Sequence, residues 1–177
     1  MNRDIGIFAF ALVVTPSTLI GCESTVPAQS PADRAASVER SYCTADFSES
    51  VVARVLDGST IERVEPAYQG SASRGSNPRL QGAAIVVRPV QGETAEWLNR
   101  ALECHGAHQL VAHAKGTTVR ADPFWLEDSI VNIEVTSARD GFRIRVTGES
   151  SADAREILAR AQALPRPENA TAVFDAR

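Results

Sequence analysis

Residues 130–147 constrain the fold of this chain more than any other stretch. Val131, Ile133 and Val135 alternate with Asn132, Glu134 and Thr136; beyond Asp140-Gly141, Phe142, Ile144 and Val146 alternate with Arg143, Arg145 and Thr147. A period of two puts successive side chains on opposite faces of a strand, and Asp-Gly is a strong signal for a tight hairpin. The segment predicts an antiparallel pair with one apolar and one polar face, so the sheet is covered on one side and wet on the other. Glu134 is expected to face an arginine across the pair, a contact worth little on an open face.

The flanking segments supply layers for that sheet. Residues 83–90, AAIVVRPV, form a near-continuous apolar run that predicts a central strand covered on both faces, with Pro89 ending its ladder. A helix follows, with Thr94 as N-cap, Glu96 in its first turn and Trp97, Leu98, Ala101, Leu102 and His105 recurring at spacings of three and four. Gly106 is expected to end it. A second helix is expected from Ser150 or Ser151. Ser150-x-x-Asp153 forms its cap, Ala154, Ile157, Leu158 and Ala161 its apolar stripe, and Pro165 and Pro167 its stop.

Further upstream, Val51, Val52 and Val55 predict a short helix or strand, Asp57-Gly58 a turn, and residues 59–68 a strand. Residues 70–82, dense in Gly, Ser, Asn and Pro, predict a loop. Phe124-Trp125-Leu126 predicts a plug at one end of a core, and Ala172-Val173-Phe174 a last short strand. The order from residue 83 is strand, helix, strand, strand, helix, strand, which is the split β-α-β arrangement of ferredoxin-like sandwiches. The expected class is α+β: a small antiparallel sheet with two helices on one face, in a single domain over residues 38–177.

The N-terminus carries a different signal. Residues 5–14, IGIFAFALVV, are apolar but too few to span a bilayer, which takes ~20 residues, and Pro16 and Ser17 interrupt the stretch. They lead into Leu19-Ile20-Gly21-Cys22, which resembles the signal of bacterial lipoproteins. The resemblance implies a signal peptide over residues 1–21, cleavage before Cys22, and a diacylglycerol on its sulfur with acylation of the new amino terminus. Two or more chains hold a protein firmly where one binds marginally. The implied location is the bacterial cell envelope, facing the periplasm, with the membrane as a partner through Cys22. Residues 22–37, small and polar with two prolines, read as a flexible tether. Residues 94–105, TAEWLNRALECH, are also similar to a pattern in uncharacterised exported proteobacterial proteins, a likeness that implies export and no activity.

With Cys22 assigned to lipid, Cys43 and Cys104 remain, and an even pair in an oxidising compartment predicts one disulfide. Such a bridge would stabilise by ~4 kcal/mol in the chain-entropy model. The competing expectation is a free Cys104 thiol among histidines. All three histidines, His105, His108 and His113, follow it directly. In a helix, Cys104 and His108, or His105 and His108, lie on adjacent turns and can converge on copper or zinc. The same positions also continue the packing stripe of Trp97, Leu98, Ala101 and Leu102, and no second Cys or His pair supplies the remaining ligands.

Charge narrows the function classes. The chain has 22 acidic and 18 basic residues and no basic run, so the footprint of a nucleic-acid binder is missing. It also carries no Gly-x-Ser-x-Gly, His-Glu-x-x-His, phosphate loop or dinucleotide fingerprint. The expected function is therefore a lipid-anchored, non-catalytic binding or scaffolding module with no cofactor. Its partner would be an envelope protein, met by the polar sheet face of Arg143 and Arg145. The alternative is periplasmic copper or zinc binding through Cys104-His105-x-x-His108.

Overall fold

The computed structural model describes residues 29–43, 49–69, 77–89 and 91–165. The signal segment, Cys22, the first part of the tether and Ala172–Phe174 lie outside the described residues. Within them the chain forms α1 (Pro31–Tyr42), α2 (Glu49–Leu56), β1 (Ile61–Gln69), β2 (Arg79–Val87), α3 (Ala95–Ala114), β3 (Asn132–Ala138), β4 (Gly141–Thr147) and α4 (Ser151–Gln162). The class is α+β, as expected. Among the described residues, no helix is long and apolar enough to cross a membrane.

The four strands make one antiparallel sheet in the order β1-β2-β4-β3. Both β2 and β3 run antiparallel to β4, so they are parallel to each other with β4 inserted between them. This is the split β-α-β unit, with α3 as its crossover. The slot beside β2 is filled by β1, which precedes the unit and joins β2 as a hairpin neighbour. A ferredoxin-like chain fills that slot with its last strand; here it is filled from the N-terminal side.

Alternation decides which face is dry. Ala83, Ile85 and Val87 of β2, Ile133 of β3 and Phe142, Ile144 and Val146 of β4 enter one core. Val51, Val52 and Val55 of α2, Leu98, Ala101 and Leu102 of α3, and Ile157 and Ala161 of α4 close over them. The segment 51–55, readable as helix or strand, is helix. Three helices therefore feed the core where two were expected. The fourth, α1, packs on α3 and contributes nothing to that core, joining a satellite cluster of Ala35, Ala107, Leu110, Val111 and Trp125.

Several local expectations hold at the level of single bonds. The Trp97 amide donates to Thr94 Oγ1 at 3.2 Å. At α4 the capping box is complete, with the Asp153 amide donating to Ser150 Oγ at 3.1 Å and the Ser150 amide to Asp153 Oδ2 at 3.0 Å. Gly58 turns α2 into β1 with φ of 77°. Phe124, Trp125 and Leu126 are all buried, Phe124 and Leu126 in the main core and Trp125 beneath α1. Arg160 of α4 holds this knot: its NH1 donates to the Trp125 carbonyl at 2.9 Å while its guanidinium lies 5.4 Å from the Trp125 ring centre.

Three expectations are corrected. Residues 31–37 are not tether but the first turns of α1, capped by Ser30, whose Oγ accepts from the Asp33 amide at 3.1 Å. Residues 79–82, taken as loop, are the start of β2. Gly106 does not end α3, which continues to Ala114. A side chain there would place its Cβ 2.3 Å from the Phe124 carbonyl oxygen, so Gly106 is the point where the 122–126 segment presses its backbone onto the helix.

The sheet edges are also blunted. On β3 the Val135 amide, unpaired with β4, donates to Asn99 Oδ1 of α3 at 2.9 Å. On β1, Pro66 offers no N–H at all.

Gly106→Ala tests the close approach. In an unobstructed helix the change would stabilise by ~1 kcal/mol. Here the expected outcome is the reverse, a loss of about 1–3 kcal/mol in chemical denaturation, because backbone has to move.

Candidate functional site

The cysteine–histidine cluster lies on the middle turns of α3, where the continuous helix through Gly106 carries it. Cys104 is bonded to Cys43, the C-cap residue of α1, with the two Cα atoms 5.6 Å apart. The expected bridge is formed, and the thiol that a metal site would have used is consumed. Its 61-residue separation ties the N-terminal helix to the centre of the fold.

The three imidazoles are each engaged by a different carboxylate. His105 Nε2 lies 2.9 Å from Asp122 Oδ2, and Asp122, only 1% exposed, also accepts the Phe124 amide through Oδ1 at 2.9 Å. His108 Nδ1 lies 3.0 Å from Glu39 Oε1 on α1, and His113 Nε2 lies 3.1 Å from Glu127 Oε1. Helical spacing places His105 and His108 on neighbouring turns, but each is engaged by a different element, His105 by the 122–126 segment and His108 by α1. Among the described residues, no group of three His, Cys, Asp or Glu side chains is placed to hold a metal ion. The fold thus uses its histidines to fasten neighbouring segments to α3.

Beside the bridge is a cleft of about 440 Å³ lined by Glu39, Glu49, His105, His108, Gln109 and the two cysteines, with Val52, Ala53 and Leu56 behind. An imidazole oriented by a buried carboxylate is a recurring catalytic arrangement, but it needs a nucleophile or substrate group within reach. Among the described residues lining this cleft there is no hydroxyl and no free thiol.

The second candidate is the outer face of the sheet. Ala84 and Val86 lie on it, opposite Arg145 and Arg143 of β4, yet they are only 4% and 6% exposed. Among the described residues, the helices that pack on the sheet join the core on its other face. The aliphatic stems of the arginines cover Ala84 and Val86, with their guanidinium groups at the surface. This is how β2 comes to be apolar on both faces in a sheet with one wet side.

The guanidinium groups are bonded in a row. Arg63 Nε donates to Glu65 Oε1 at 2.6 Å and Arg143 NH1 to Glu65 Oε2 at 3.1 Å, so one carboxylate bridges β1 and β4 across β2. Arg145 NH2 donates to Gln81 Oε1 at 2.6 Å and to the Tyr68 carbonyl at 3.1 Å. Glu134 stands opposite Arg145 in the register, as expected, but the Arg145 guanidinium turns the other way, toward β2 and β1. The Arg63 hydrogen bond holds the Glu65 carboxyl below its ordinary value of 4.5 against the opposing effect of desolvation, and Arg143 adds to the lowering.

The sequence pointed to Arg143 and Arg145 but not to Glu65, Gln81 or Tyr68. The alternation of β1 carried a signal for Glu65, since Val64 faces the core and its neighbours must face out. The bulges between Ile61 and Arg63 and between Ala67 and Tyr68 obscure that alternation in the letters. The lipidation residue Cys22 lies outside the described residues.

Two outcomes follow from this geometry. Titration with Cu²⁺ or Zn²⁺ is expected to show equally weak binding in the wild type and in a His105→Ala/His108→Ala variant; a sub-micromolar stoichiometric site lost in the variant would overturn it. A carboxyl lowered by folding stabilises the folded state above its unfolded value, and that contribution is lost as pH falls through the lower folded value. Glu65→Gln is therefore expected to be less stable than wild type at pH 7, and to converge with it below the carboxylate range. Because the pair is solvated, the difference is about 0.2–1 kcal/mol in denaturant titrations at the two pH values.

No family model, no curated protein and no solved structure matches this chain.

Proposed function

We propose that the protein is a lipid-anchored module of the bacterial envelope that binds a protein partner through the outer face of its sheet and performs no catalytic step of its own. One observation carries the binding half of this reading. Among the described residues no helix covers the outer face, and a row of three arginines crosses it, Arg63 and Arg143 sharing the Glu65 carboxylate, Arg63 also 3.9 Å from Glu62, and Arg145 bonded to neutral acceptors. Arg145 is satisfied by neutral acceptors, so its charge is left for an incoming carboxylate. Guanidinium groups already held in place lose little side-chain entropy on contact and suit forked pairing with carboxylates. The surface therefore favours a protein partner that presents acidic side chains.

The anchoring half rests on the Leu19-Ile20-Gly21-Cys22 box and its resemblance to lipoprotein signals. The disulfide is consistent with an oxidising compartment. The non-catalytic reading rests on the cleft beside the bridge, where His105 is spent on Asp122 and His108 on Glu39.

Both halves are open to test in intact cells. Mass analysis of the membrane fraction is expected to show a chain beginning at Cys22 with added acyl mass, and Cys22→Ala to abolish it; a chain still beginning at Met1 in the cytoplasm would overturn the anchoring. A photo-crosslinking residue at Thr136, on the outer face, is expected to capture one partner of defined mass, suppressed by Arg143→Glu/Arg145→Glu. The same residue at Arg155, on the solvent side of α4, is expected to capture none. Equal capture from both positions, or from neither, would overturn the binding face.

A further inference from the structure

We propose that α1 is a strap whose seating depends on the Cys43–Cys104 bridge, so that reduction releases it from α3 and leaves the rest of the domain folded. The inference goes beyond the partner-binding reading and does not depend on it.

The argument starts from how little else holds α1. It supplies no side chain to the main core. Its docked residues are Ala35, Ala36 and Val38, small groups packed against Leu110, Val111 and Trp125. Its ion pair with α3, Glu39 with His108, has side chains 34% and 64% exposed, and such pairs contribute little. A helix of 12 residues does not persist alone in water. What remains is the covalent link, placed at the C-cap of α1 and the middle of α3.

The packing beside α1 agrees. Between α1, α3 and residues 124–133 lies a groove of about 330 Å³, mostly apolar, with Ala35 and Val38 on one wall and Leu110, Trp125 and Val131 on the other. The strap thus spans a partly empty seat. Removing it uncovers Leu110, Val111 and Trp125 as one patch.

The redox step is thiol–disulfide exchange with a dithiol reductant. Its thiolate attacks one sulfur of the bridge, and the other cysteine leaves as a thiolate and takes up a proton. The second thiol of the reductant then displaces the first cysteine. Two cysteine thiols and one oxidised dithiol result. Both cysteines border the 440 Å³ cleft, which gives the reductant an approach.

Hydrogen exchange on the folded, full-length chain tests the proposal, before and after dithiothreitol, with reduction verified by thiol alkylation. Amides of residues 34–42 are expected to exchange about tenfold faster or more in the reduced protein, while residues 83–87 and 142–146 keep their protection. A Cys43→Ser/Cys104→Ser variant is expected to match the reduced wild type, and the wild-type measurement stands if that variant fails to fold. Unchanged protection at 34–42 would overturn the proposal. So would an equal loss across β2 and β4, since the bridge would then be holding the whole domain.

Discussion

The approach of the Phe124 carbonyl to the bare backbone at Gly106 sets the distance at which the 122–126 segment meets α3. Because that backbone sits so close, Asp122 comes within hydrogen-bond reach of His105, and Phe124 reaches the main core on one side while Trp125 reaches the satellite cluster on the other. Arg160 then ties the same segment to α4 through two carbonyls. One missing side chain on α3 thereby organises a loop and two clusters, and the loop in turn links α3 to α4. Buried Asp122 is tolerable because both of its oxygens are bonded, one to an imidazole and one to a backbone amide.

The two faces of the sheet solve the same covering problem by different means. The inner face is closed by three helices through aliphatic packing. The outer face is closed by arginine stems lying over Ala84 and Val86, with their charges bonded to Glu65, Gln81 and a carbonyl. Such a cover keeps the face polar at its surface.

Where a feature depended on neighbours in the chain, its letters were readable. The alternation of residues 130–147 specified both strands and their faces, and Ser150-Asp153 and Thr94 marked helix starts that exist as bonded caps. The start of α1 was read as tether from its small, polar composition, although Ser30-Pro31-Ala32-Asp33 carries a serine suited to the cap and a proline suited to the first helical position. What was not legible depended on distant residues. Gly106 has the letters of a helix stop, and only the Phe124 backbone turns it into a packing contact. His105 and His108 have the spacing of ligands, and only Asp122 and Glu39, the latter 69 positions away, divert them.

The Asn99–Val135 bond and Pro66 have a consequence for how copies of this domain coexist. A sheet recruits strands along its edges, where unpaired N–H and C=O groups wait for a partner. Here one edge has its central amide occupied by a helix side chain, and the other has a residue with no amide hydrogen at its middle. Polymerisation by edge-to-edge strand addition is thus obstructed at both ends of the sheet. If the molecule is crowded at a surface by an anchor, neighbouring copies can collide at high local concentration without templating one another into ribbons.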